Sequence, residues 1–206
     1  MSGQAYPVAK AVAKELQRRR NAAHYQHQVL AWPISEGCYF WVSLTGGNSP
    51  LVGVALPQVH ARASKLLGAM GLFQPDLKEI PAECMPSFPI PWQLLIGTPD
   101  PDGWSNEFTD ADALARSVEV VLHGESLVKE VAGDVSDALD FARTKMPFAQ
   151  TPPFFVPVGY GSLGRRDEAE RFIAECKIHF ASGPMADLYD SFVAKLREDW
   201  TANSPS

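Results

Sequence analysis

The sequence predicts an α+β fold: a small antiparallel sheet, made of one hairpin plus one or two further strands, covered by helices and closed by a C-terminal helical hairpin. Three observations predict it. Two runs of aromatic and β-branched residues, 39–44 and 51–56, flank a turn rich in Gly and Asn, which is how a hairpin reads. Apolar residues at helical spacing fill most of the second half of the chain. Finally, 206 residues with 46% apolar and 20% charged composition can bury a core without a disulfide or metal staple.

The elements follow in order. Val8, Val12 and Leu16 recur every four residues behind Pro7, so a helix starts there and carries Arg18, Arg19 and Arg20 in its last turn. A strand is expected near 28–32, then the hairpin strands 39–44 and 51–56 around Gly46, Gly47 and Asn48. Pro57 opens a helix through Leu67, with Val59, Ala63, Leu66 and Leu67 on one side. Residues 74–91 hold five prolines and should lack regular structure, and 92–96 should add a strand. Thr109 and Asp112 have capping-pair spacing before a helix with Leu114, Val118, Val121 and Leu122 inward. Gly124 is expected to break that helix, and the pattern resumes from Leu127 to Met146. Residues 151–157 read as a connector, and helices 166–180 and 185–200 form the closing hairpin. One α+β domain is thus expected over 1–150, with the helical hairpin 151–200 packed on it and a frayed tail 201–206.

Charge is unevenly spread. The net charge is −6, yet residues 1–30 carry five basic side chains against Glu15 alone. Residues 98–140 carry eleven acids against Arg116 and Lys129. A net-acidic chain repels a phosphate backbone, so direct nucleic-acid binding is not expected. An acidic helix face can instead attract a basic protein, or simply keep the chain soluble. No run reaches the 18 apolar residues of a membrane span. Lys10, Lys14 and the arginine triplet do not make a secretion signal, and Cys38, Cys84 and Cys176 form no paired framework. A cytoplasmic location is the expectation.

Motifs for chemistry are sparse. Gly159-Tyr160-Gly161-Ser162-Leu163-Gly164 matches G-x-G-x-x-G, but Pro157 precedes it and no second parallel strand with a ribose-binding acid follows. It reads as a glycine-rich helix start. His24 and His27 have H-x-x-H spacing without a third ligand, and the twelfth position of a loop that starts at Asp100 is Ala111, where a calcium loop needs Glu. No cofactor and no metal are expected. A small hydrolase or ligand-binding enzyme is the alternative. Its site would lie near the proline-rich loop 74–91 and the turn 159–164, with His60 or His123 converging on Ser162 or Cys84.

Two resemblances follow from residues. The run Gly164-Arg165-Arg166-Asp167-Glu168-Ala169-Glu170 resembles the start of the second helix of a tetratricopeptide unit, but one unit cannot build a solenoid. The order of an N-terminal helix, a hairpin, a Trp-containing acidic segment (Gly103-Trp104 to Asp112), Pro147-Phe148 and a closing helical pair resembles small bacterial proteins similar to toxin-immunity proteins. That resemblance implies a non-enzymatic protein that binds a basic toxin. The residues expected to meet the partner are Trp104 as an aromatic anchor, with Glu107, Asp110, Asp112, Glu119, Glu130, Asp134 and Asp137 as the acidic face.

Overall fold

Within residues 7–25, 28–44, 49–71, 80–104 and 112–202, which the computed structural model describes, the aromatic and β-branched runs form one antiparallel sheet. Its strands β1 (Ala23–Tyr25), β2 (Val29–Ser35), β3 (Cys38–Ser43), β4 (Leu51–Ala55) and β5 (Phe88–Ile90) lie side by side in chain order. The helices are α1 (Pro7–Arg20), α2 (Pro57–Ala69), α3 (Trp92–Ile96), α4 (Ala113–Val131), α5 (Val135–Lys145), α6 (Pro152–Ser162), α7 (Arg166–Phe180) and α8 (Ala186–Ala202). The α+β class with closing C-terminal helices is as the sequence predicts. The chain forms two units, residues 1–57 with 79–138 and residues 58–78 with 139–206.

In the first unit the sheet register sets the core. Partners directly across a sheet share a face, and the pairs Leu30↔Val42, Trp32↔Phe40, Phe40↔Val54, Val42↔Val52, Val52↔Ile90 and Val54↔Phe88 therefore build one apolar side. None of these side chains is more than 2% exposed. Burying each is worth about 1.5–3 kcal/mol by area. Helix α4 lies against β3 and β4, and α1 lies against α4 and β2. The opposite side of the sheet holds Trp41, whose indole N–H donates to the Cys84 carbonyl (2.9 Å) in the 3₁₀ turn Ala82–Cys84.

Three local expectations are corrected here. Residues 92–96 are helix α3, not a strand, and the strand is Phe88–Ile90 inside the proline-rich stretch. A five-residue apolar run has no period long enough to separate the two states. Pro91 stands at the N-cap of α3, and Gly97, at φ +80°, ends the helix after one turn and a half. Pro89 is tolerated because β5 is an edge strand. Next, α4 runs unbroken through Gly124. A Cβ there would come within 2.7 Å of the Trp92 ring, so the glycine is a slot for an indole and not a break.

The third correction lies in the second unit. Residues 152–162 are α6, so the stretch read as a connector is its first turns. Pro152 and Pro153 occupy positions whose N–H has no helical partner anyway. Pro157 is inside the helix and cannot donate to the carbonyl of Pro153; that carbonyl accepts instead from the buried Tyr189 hydroxyl at 3.2 Å. The glycines of the G-x-G-x-x-G run are packing devices and not a helix start. A Cβ on Gly159 would lie 2.5 Å from Leu139, and Gly161 faces the Trp200 indole just as tightly. Gly164, at φ +75°, makes the turn into α7. Helices α6, α7 and α8 pack on one another; of the residues that the spacing places inward, Ala169, Phe172, Ile173, Cys176, Phe192, Val193 and Leu196 are buried, and Leu188 is half-buried.

Candidate functional site

A groove of about 760 Å³ runs along the outer side of α4 in the first unit. One wall is Ala115, Arg116, Glu119, Val120 and His123, which recur on one face of the helix; the other is the strap Ile96, Thr98, Pro101, Asp102 and Gly103. The strap is shaped by two left-handed glycines, Gly97 (φ +80°) and Gly103 (φ +87°), the second meeting Val120 across the groove. Thr98 holds it by donating to the Asp100 carbonyl at 3.2 Å. The volume is in the range of sites that take a small ligand or one or two side chains. Sequence reasoning missed this groove. Its signal was a Pro-Asp strap bracketed by glycines just ahead of a helix with an acidic outer face.

The predicted acidic face is dispersed by the geometry. Trp104 follows the strap and is half-buried, Asp112 is at the N-cap of α4, and Glu119 lines the groove. Glu130 lies at the far end of α4, roughly 27 Å from Asp112 at 1.5 Å per residue. Asp134 and Asp137 stand together at the start of α5, where the Asp134 carboxylate accepts from the Asp137 backbone N–H (2.8 Å). Glu107, Asp110 and the proposed capping residue Thr109 lie outside the described residues, as does His27 of the H-x-x-H spacing.

The arginine triplet accounts for part of the acidity. Arg19 pairs with Glu119 (3.0 Å) and with Glu15 (2.8 Å), and Arg20 pairs with Glu125 (2.9 Å), which is only 8% exposed. Arg18 and Arg19 together hold the Glu15 carboxyl down to about 2. The charge asymmetry between the two sequence segments is thus partly an internal match between α1 and α4. Surface pairs of this kind contribute little each; the partly buried Arg20–Glu125 pair matters more, because losing Arg20 strands a buried carboxylate.

The second unit holds one tight polar cluster. Tyr160, fully buried as a residue, donates its hydroxyl to Asp140 (2.6 Å), and Arg165 forks onto both oxygens of that carboxylate (3.0 and 3.1 Å). The Arg165 guanidinium also lies over the Tyr160 ring at 4.6 Å. Burial, then the Asp140 charge, pushes the phenol up to about 12. Asp140, despite its partial burial, stays below its ordinary range because Arg165 and Tyr160 bind it. The cluster fastens α5 to α6 and the start of α7, and its phenol is no base at neutral pH.

The residues of the hydrolase alternative are engaged as follows. The Ser162 hydroxyl donates to the Val158 carbonyl (2.9 Å) and accepts from Arg62 (3.1 Å), and Arg62 in turn binds Asp199. Burial pushes the Cys84 and Cys176 thiols up to about 11 and Cys38 up to about 12, far from a reactive thiolate. His123 is in the groove, and Glu119 is one helical turn before it. Among the described residues no cluster of three or more His, Cys, Asp or Glu could hold a metal ion. No described helix is long and apolar enough to cross a membrane.

His60 is buried beside the Phe155 ring (centroids 5.2 Å apart), and burial lowers its pKa below the ordinary 6.5. Below pH 6.5 the unfolded chain takes up a proton that the folded chain refuses, so stability should fall with pH until the folded imidazole also titrates. Urea unfolding between pH 7 and pH 5 should show a shallower loss for His60→Leu than for the unaltered chain; equal slopes would mean that His60 does not contribute. No protein-family model, curated protein or solved structure matches the chain.

Proposed function

We propose that the chain is a non-enzymatic protein-binding protein, an immunity protein that neutralises a basic bacterial toxin in the cytoplasm by lying across its active surface. The observation that supports this is the surface left after the internal pairs are counted. Glu125 is buried against Arg20, while Glu130, Asp134 and Asp137 are exposed at the end of α4 and the start of α5. Exposed carboxylates of one sign speed the approach of a cationic partner, and salt weakens that steering. The three cysteines are buried free thiols, which fits a reducing compartment.

The test is capture of partners from the native host at low and high salt, with identification by mass spectrometry. One basic protein, released by salt and toxic unless this chain is co-expressed, is the expected result. Its association with the triple variant Asp112→Lys/Glu130→Lys/Asp137→Lys should be at least about tenfold slower and lose its salt dependence. A rate unchanged by that reversal, or nothing retained in either buffer, overturns the proposal.

A further inference from the structure

We infer that the groove between α4 and the strap 96–103 is the anchoring site for the partner, and that it takes an apolar side chain flanked by lysine or arginine. This rests on the reading of the chain as a binder of a basic protein and names the chemistry of the contact. The floor is apolar: Ile96, Pro101, Ala115 and Val120 present hydrocarbon to the groove. The rim is acidic on both sides, with Asp100 and Asp102 exposed on the strap and Glu119 exposed on the helix. Among the described lining residues Arg116 is the one Lys or Arg side chain. An acidic peptide would meet carboxylates on both walls, whereas a cationic one adds its charge to Asp100 and Asp102 on the strap and to Glu119, which Arg19 already pairs.

The walls are also built to keep their shape. The strap is fixed by its two left-handed glycines and the Thr98 hydrogen bond, and α4 is clamped from below by the sheet. Glu119 is held by Arg19, so its carboxylate is already positioned when a partner arrives. A preformed groove loses little ordering entropy on binding, which lets a single inserted side chain act as an anchor.

The probe is the peptide acetyl-Lys-Lys-Phe-Lys-Lys-amide, titrated into the isotopically labelled full chain and followed by amide shifts. Saturable shifts are expected at Ile96, Thr98, Gly103, Ala115, Val120 and His123, at least tenfold tighter than for the Phe→Ser peptide or one with glutamates in place of lysines. Ala115→Trp, which fills the groove from an exposed helix position, should abolish them. Asp102→Lys, on an exposed turn, should weaken them at least threefold and serves if the tryptophan disturbs α4. Glu198→Lys, the same change of charge at an exposed position of α8, should leave them within twofold. Shifts gathered around Glu130 and Asp137, equal response to the three peptides, or no response, would overturn the groove proposal whatever host capture shows. A positive titration with nothing captured from the host would overturn toxin neutralisation and leave the groove standing.

Discussion

Gly53→Ala should cost about 3 kcal/mol, at the upper end for overpacking, and lower the urea midpoint without changing the denaturant slope. Gly53 is central in β4, where a side chain would ordinarily be welcome, and β propensity alone favours the change. The close approach of β5 forbids it. An added Cβ would sit 2.5 Å from the Phe88 carbonyl oxygen and 2.8 Å from the Pro89 Cα, both backbone atoms that cannot rotate away. Relief requires β5 to leave β4, exposing Phe88 and Ile90, which are now 1% and 2% exposed. Gly183→Ala is the control, because its nearest neighbour is 3.6 Å away, and it should change stability by no more than about 0.5 kcal/mol. A Gly53→Ala chain as stable as the parent would show that β5 does not lie this close.

Gly124→Ala sets two known effects against each other. Within a helix the change gains about 1 kcal/mol of propensity, but the new methyl would meet the Trp92 ring at 2.7 Å and Val52 at 3.2 Å. The indole is itself pinned, its N–H donating to the Pro50 carbonyl at 2.6 Å. A rigid ring held at both ends cannot step aside, so a net loss of about 2 kcal/mol is expected. Trp92→Phe removes the offending ring edge while giving up that hydrogen bond. The double variant should therefore be more stable than the two single losses added, by about 1 kcal/mol or more. Simple additivity would mean that α4 does not rest on Trp92.

Most of the helices and the strands β2, β3 and β4 were legible because their signals are local, whereas β1, three residues long, gave no such signal. Val12, Ala13 and Leu16, or Phe172, Ile173 and Cys176, repeat at the helical period over several turns, and Phe40, Val42, Val52 and Val54 alternate with the pleat. The misreadings share one cause. Alone, the sequence reads Gly124 as a break, Pro157 as part of a connector and Gly159 and Gly161 as a helix start, since each weakens a helix considered by itself. In the fold each is matched by a distant residue: Trp92 fills the space over Gly124, Leu139 and Trp200 fill those over the α6 glycines, and Tyr189 bonds the carbonyl that Pro157 leaves over.

The acidic segment shows the same division. That eleven acids crowd residues 98–140 is visible in the sequence. Which of them are already matched is not, because Arg19 and Arg20 lie about a hundred positions from Glu119 and Glu125. By itself the sequence determined the α+β class, the inward faces of the helices and the pairing strands of the hairpin, since these follow from period and propensity between near neighbours. Only the tertiary structure decided which glycines are slots, which carboxylates stay exposed, and where the strap and α4 enclose a groove. Those depend on side chains brought together from far apart in the chain, and no local pattern encodes that distance.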